Sequence, residues 1–435
     1  MFRADSSIVM QNGQAPRRAM THQRTIAVFS DIEMGGGGHT DDFPHPSFLG
    51  ELVADYGRGR YADRAVDVVF NGDTFDFLKL PVGGEYPIQV TSHTALAKTD
   101  AVAAAHQAFF DGVGEFLASG PGPRRVHFVV GNHDAEILFP AVRRRIRELC
   151  GDTSDRVRFP GFELAIGPVH LEHGHQYDPL FCMDASQPFV LARPEPLLNL
   201  SWAALGLLQV VIPMHPDFAF YDRLVPRDEL MRLVPELTEL FNALAWRYWT
   251  KDFWREFLVH KNPVFTFHWT MLKEVIRRFA LTTPEVEIDQ EWLQGTIAKR
   301  PAKLFISGHV HRLAHHWHAG KRIVQSGAMR DEFRIQPGGS AVTPELKTWV
   351  EVDLDHDDEA VVGLTTRERL GPPRPPQDLP DSLFDLVPLV RERLASLGDR
   401  EKDGAAQADQ ERREVDLKRH GRGLWSHPGA GSGST

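Results

Sequence analysis

Short apolar runs alternate with polar clusters along the first 175 residues, and each run is too brief for a helix. Thr25 to Ser30, Val66 to Phe70, Arg125 to Val130 and Pro168 to Glu172 have this character, as does Lys303 to Ser307 much further on. Continuous apolar stretches of this length, rich in β-branched residues and bounded by turn residues, predict buried strands. Runs at 322–325, 347–354 and 361–365 predict more strands, enough for a second sheet. Stretches 101–118 and 141–150 predict helices between them. Strands alternating with helices belong to the α/β class, in which the carboxyl ends of the strands share one rim.

The middle of the chain is different in kind. From 176 to 300 β-type runs vanish and helical patterns take over, with six of the nine tryptophans: Trp202, Trp246, Trp249, Trp254, Trp269 and Trp292. This predicts a helical cap inserted into the α/β domain, whose two parts are 25–175 and 301–369. The most apolar stretch, Pro196 to Ile212, is short for a membrane span and bounded by prolines. It reads either as a buried helix of the cap or as a lipid-facing surface beside the site. Residues 1–24 read as a polar lead-in without a secretory signal. In 370–435 a Pro-rich linker precedes a helix over about 381–397, able to dock through Leu383, Phe384, Leu386, Val387 and Leu389, and a polar tail with no predicted structure ends the chain.

Composition narrows the class. With 435 residues, 42% apolar and 25% charged, the chain can bury a large core. A net charge of −10 argues against extended nucleic-acid binding. Cys150 and Cys182 are the only cysteines, so no disulfide framework is implied. The expected setting is the cytoplasm, with membrane contact at most peripheral.

The polar cluster at the end of each predicted strand carries the chemistry. Asp31-Ile32-Glu33, Gly72-Asp73, Gly131-Asn132-His133-Asp134, His173-Gly174-His175 and Gly308-His309-Val310-His311 stand in this order. They offer the oxygen and nitrogen donors that hold divalent metals. No cluster suffices alone. Together they supply enough ligands for two ions sharing a carboxylate, an arrangement used for in-line displacement at phosphorus.

In these five clusters the chain resembles the calcineurin-like metallophosphoesterases, whose blocks read D-x-H, G-D, G-N-H-D/E, H-G and G-H-x-H. Four blocks match letter for letter, and in the first Glu33 replaces the usual His. Gly35 to Phe43 and Asn71 to Asp76 further resemble the branch containing UDP-diacylglucosamine hydrolase. The resemblance implies an αββα sandwich and a hydroxide shared between two metals. It implies that Asp31, Glu33, Asp73 and His311 hold one divalent ion, and Asp73, Asn132, His173 and His309 the second. It also gives His133 the role of phosphate contact or acid, with Asp134 holding its imidazole. His175 is a supporting residue or a substrate contact. A carboxylate at position 33 makes the first site mostly oxygen, favouring Mn²⁺ or Mg²⁺ over Zn²⁺, with Fe a further option; the other reading of Glu33 is a lost ligand.

Other features are ambiguous or bland. Arg330, in Ser326 to Asp331, either reaches a substrate phosphate or pairs with Asp331. His315, His316 and His318 read as solvated side chains in a surface turn, and Arg143, Arg144, Arg145 and Arg147 as a solvated helix face. Gly35 to Gly38 lack the helix start and Lys of a phosphate cradle and read as a flexible loop.

The sequence therefore predicts a two-metal phosphoester hydrolase acting on a phosphorylated small molecule or a lipid-like substrate with an apolar part. The alternatives are a scaffold of the same fold that has lost catalysis, or a nucleotide or nucleic-acid phosphodiesterase.

Overall fold

The structure is a computed structural model that describes residues 24–374 and 387–397, apart from 193, 215–217, 220, 281–288 and 340. The N-terminal lead-in through 23, residues 375–386 and the tail beyond 397 lie outside the described residues.

Two sheets face each other. The first contains β1 (Arg24–Phe29), β2 (Ala65–Asn71), β3 (Arg124–Val129) and β4 (Val157–Gly161). The second is built on β5 (Glu163–Ile166), β6 (Val169–Glu172), β7 (Leu304–Ser307), β8 (Leu313–His318) and β9 (Lys321–Ser326). The chain then returns to the first sheet with β10 (Lys347–Leu354) and β11 (Val361–Arg369), giving the orders β11-β10-β1-β2-β3-β4 and β8-β9-β7-β6-β5. β1 to β4 run parallel, and so do β6, β7 and β9, so their carboxyl ends lie at one rim.

The layers are set by which side chains alternate inward. Ile26, Val28, Val69 and Val129 of the first sheet meet Val169, Leu171, Ile306 and Val324 of the second in one apolar core. The opposite face of the first sheet presents Phe29, Phe70 and Phe128 to α1 (Pro46–Asp55), α2 (Ser92–Ala105), α3 (Gln107–Ala118) and α4 (Pro140–Leu149). Phe70 and Phe128 stack with centroids 4.9 Å apart, and Trp349 covers Phe29 at 5.9 Å. The result is the sandwich of two sheets between helical layers that the sequence predicts.

The region after His175 is largely but not wholly helical. It contains α5 (Trp202–Gly206), drawn on to Val211 by a wider π-type turn, then α6 (Arg227–Leu233), α7 (Pro235–Arg247), α8 (Trp269–Ala280) and α9 (Gln290–Lys299). Two-residue strands also occur, and Leu224–Val225 pairs with Phe333–Ile335. α9 differs from the rest. Its Leu293 and Ile297 pack on Phe305 and Ile323, covering the outer face of the second sheet, so it serves as a layer of the sandwich. Among the described residues no helix is long and apolar enough to cross a membrane.

Several expectations need correction. The helix expected over 101–118 is two helices broken at His106, whose Nε2 meets the buried Asp41 carboxylate at 2.7 Å and fixes a non-helical turn. His315 and His316 are exposed and His318 half-buried, so they face solvent as expected, but they lie on the edge strand β8, paired with β9, and not in a turn. The arginine helix face is solvated as expected, with Arg144 exposed, and it carries surface pairs: Arg145 meets Asp100 at 2.7 Å, Arg147 meets Asp155, and Arg143 bonds the Ile137 carbonyl. The glycine loop is folded, since Gly35 and Gly37 donate their N–H groups to the Asp41 carboxylate at 3.1 and 2.8 Å. Residues 387–397 form a helix, α10, that buries Val390 against Leu230, Val234 and Leu237 and leaves Leu389 exposed. Leu383, Phe384 and Leu386 lie outside the described residues.

Candidate metal centre

The rim brings the five clusters together through unusual backbone. Asp31, Glu33, Asp73, His309 and His311 have φ of 52°, 56°, 49°, 71° and 53°. Side-chain-bearing residues avoid this left-handed region, so five such residues at one rim mark positions whose conformation the surrounding fold enforces. Close approach enforces part of it. A Cβ on Gly131 would lie 2.1 Å from Asp73 Oδ1, and one on Gly308 would lie 2.4 Å from Asp31 Oδ2. The His309 N–H donates to Asp31 at 3.0 Å and the His133 N–H to Asp73 at 2.8 Å, which locks the turns to the carboxylates.

The donor set suits divalent cations. Ligand atoms of Asp73, His173 and His309 lie within 4.8 Å of one another, and Asn132 Oδ1 is 3.2 Å from His173 Nε2. Nδ1 of His173 faces the Asn71 carbonyl at 3.1 Å, so Nε2 is turned to Asp73 Oδ2 at 3.0 Å. His311 is held likewise, with Nδ1 on Glu332 at 2.8 Å and Nε2 facing Asp31 at 3.4 Å and Glu33 Oε1 at 3.5 Å. Fixing one ring nitrogen to aim the other is how ligating histidines are oriented. Burial opposes charge on both imidazoles, yet the facing carboxylates raise His173 to about 9 and His311 to about 10. The field that favours imidazolium there also favours a cation, whose binding would displace those protons.

His133 is placed differently from expectation. Asp134 turns its carboxylate to the Gly131 and Thr74 N–H groups at 2.7 and 2.8 Å, and Asp76 holds His133 Nδ1 at 3.0 Å. Asp134 thus braces the turn, and burial followed by the nearby charge of Asp73 pushes its carboxyl up to about 7. Burial would lower His133, but Asp76, Asp73 and Glu33 lift it to about 10. His175 lies buried behind the site, its ring 5.4 Å from that of His173, and burial with its two histidine neighbours pushes it well below its ordinary value.

Glu33 and Arg330 meet. Arg330 Nη1 is 2.5 Å from Glu33 Oε2, and its Nη2 is 3.0 Å from Asp42 and 3.3 Å from Asp222. Lys79 Nζ sits in the same group, 2.9 Å from Asp76 and 3.6 Å from Glu33, and also contacts Asp42 and Asp222. Asp42, Asp76, Lys79 and Asp222 were not singled out from sequence. Asp42 and Asp76 stand within the two segments that carry the finer family resemblance, whereas Asp222 lies in the helical region with no local signal. Arg330 comes after β9, another parallel strand end at the rim. Asp178, bonded by Arg278 of α8 at 2.6 Å, reaches within 3.8 Å of His309 Nε2 and ties that helix to the rim.

Above the rim lies a cavity of about 280 Å³. Glu33, Asp73, Asn132, His133, His309 and His311 line its floor together with Lys79, Asp222 and Arg330. Its walls are apolar, with Trp202, Leu207, Val210, Leu240, Phe241 and Trp249 among them. The stretch 196–212 therefore has two faces. Leu198, Leu200, Leu205 and Leu208 are buried in the main core, while Leu207, Val210 and Val211 face the cavity.

No family model matches the chain, and no curated protein does. Among solved structures it is similar to Vps29 from Entamoeba histolytica at 11% identity and a TM-score of 0.23, over 80% of this chain and 99% of that one. It is similar to the phosphopantetheinyl hydrolase PptH from Mycobacterium tuberculosis at 15% identity and a TM-score of 0.25, over 71% of this chain and 91% of that one. Neither is a UDP-diacylglucosamine hydrolase.

Proposed function

We propose that the protein is a divalent-metal-dependent hydrolase of phosphoric esters whose substrate carries an apolar part. The observation that supports this most is the cavity: a floor of carboxylates, histidines and the buried side chains of Lys79 and Arg330 under apolar walls. Asp31, Glu33, Asp73 and His311 would hold one ion, where oxygen-rich ligation favours Mn²⁺ or Mg²⁺, and Asp73, Asn132, His173 and His309 would hold another. Such ions would polarise the phosphoryl oxygens and supply a nucleophile from water at neutral pH.

The chain's own residues do the rest. His133, fixed through Nδ1 by Asp76, presents its other ring nitrogen to a phosphoryl or leaving oxygen, where it stabilises charge and delivers a proton. The apolar walls bind the hydrocarbon part of the substrate and exclude water from the floor. Trp246 and Trp269, 74% and 69% exposed, stand on α7 and α8, which also contribute to the walls, and support peripheral contact with a lipid surface. The test is hydrolysis of phosphomonoester, phosphodiester and pyrophosphate panels in graded chain length, with Mn²⁺, Mg²⁺ or Zn²⁺ added to chelated protein. Metal-dependent turnover that rises with chain length is expected. No turnover with any ion removes the hydrolase reading and leaves a binding protein.

A further inference from the structure

We infer that Glu33 and Arg330 are a matched pair: Glu33 offers Oε1 to the first cation position while Arg330 holds Oε2, so Arg330 is the positioning residue that lets residue 33 ligate. The inference rests on the metal-dependent reading and concerns how this chain builds the position where its sequence departs from the family pattern.

Four observations carry it. Glu33 is fixed at a left-handed φ of 56° with its side chain 1% exposed, so it has little freedom to turn aside. Its two oxygens face different partners, Oε2 toward Arg330 at 2.5 Å and Oε1 toward His311 Nε2 at 3.5 Å. His311 Nε2 in turn lies 3.4 Å from Asp31 Oδ1. Donors around one ion with bonds near 2.1 Å stand roughly 3 to 3.5 Å apart, so the Glu33 to His311 spacing suits a shared cation. Finally, Arg330 is 2% exposed and cannot shed its proton; Asp42 and Asp222 engage its Nη2, and Glu33 Oε2 is the anion on its Nη1.

A carboxylate can meet both demands because it has two acceptor oxygens. An imidazole cannot. A histidine at 33 would give one nitrogen to the cation and leave Arg330 facing a ring N–H or a ring edge. It would also remove a negative charge beside Arg330 and Lys79 while a second divalent ion is being asked to bind. Changing Glu33 to the family's histidine should therefore empty the first position, and removing the guanidinium at the same time should relieve the conflict.

The test is a double-mutant cycle of wild type, Glu33→His, Arg330→Met and the double variant. Mn²⁺ per chain is measured by elemental analysis after gel filtration, and the melting temperature is measured on chelated protein. Expected are two ions in the wild type and one in Glu33→His, with a melting temperature several degrees lower. The double variant should regain the second ion and melt higher than the sum of the single losses allows. Two ions in Glu33→His at an unchanged melting temperature, or strictly additive losses, overturn the pairing. If Glu33→His does not fold, Glu33→Gln is put through the same cycle, with coupled losses expected in the same direction. One ion in the wild type overturns the ligand role of Glu33 alone. No ion in the wild type overturns the metal-dependent reading with it, which separates the two failures.

Discussion

The rim of the sandwich and the helical wall above it solve different problems with different materials. At the rim, position matters to a fraction of an ångström, and the chain uses strand ends, left-handed backbone and buried carboxylates to hold it. The wall needs only to be apolar and close, and it is made of side chains on α5, α7 and α8 that other apolar residues could replace. The rim should therefore fail abruptly on single substitutions, and the wall gradually.

The largest expected effect is at the carboxylate common to both proposed positions. Asp73→Asn should abolish activity, by about a thousandfold or more, and lower metal content at both positions. Elemental analysis alongside kinetics checks it, and full turnover with unchanged metal would end the shared-carboxylate assignment. Next, His133→Ala should lose about a hundredfold to ten-thousandfold in kcat while keeping its metal. Asp76→Asn should change activity in the same direction by a smaller factor, since it acts through His133. Equal metal loss in His133→Ala and Asp73→Asn would erase the distinction between ligand and proton donor.

At the wall the two faces of 196–212 make an internal control. Leu207→Ser should lower kcat/KM for a long-chain substrate by about tenfold, spare a small soluble phosphoester, and change the melting temperature little. Leu205→Ala, on the buried face, should instead cost about 2 to 5 kcal/mol of stability with little selectivity between substrates. If both variants behave as Leu205→Ala does, the wall has no part in substrate choice. On the wild type, chelation should lower the melting temperature, because ions that bind only the folded state stabilise it by mass action. A melting temperature indifferent to chelator would mean that the rim binds no ion tightly.

How much of this was legible in the sequence differs between the regions for a physical reason. Metal chemistry accepts few side chains, so the candidate ligands Asp31, Asp73, Asn132, His173, His309 and His311 stood out by type and by their place after apolar runs. Greasiness accepts many, so the wall showed only as an apolar stretch whose orientation was undecided. The pairing of His133 with Asp76, against the expected Asp134, could not be read from adjacency, because the turn spends the Asp134 carboxylate on backbone N–H groups.

By itself the sequence determined the α/β class, the strand ends at which chemistry gathers and the donor types found there, since these derive from periodicity and from coordination preferences. Only the tertiary structure decided partners that lie far apart in the chain. Arg330 meets Glu33 across 297 positions, Lys79 meets Asp222 across 143, and Arg278 meets Asp178 across 100. Charge pairing depends on distance in space, and the fold alone converts sequence separation into that distance.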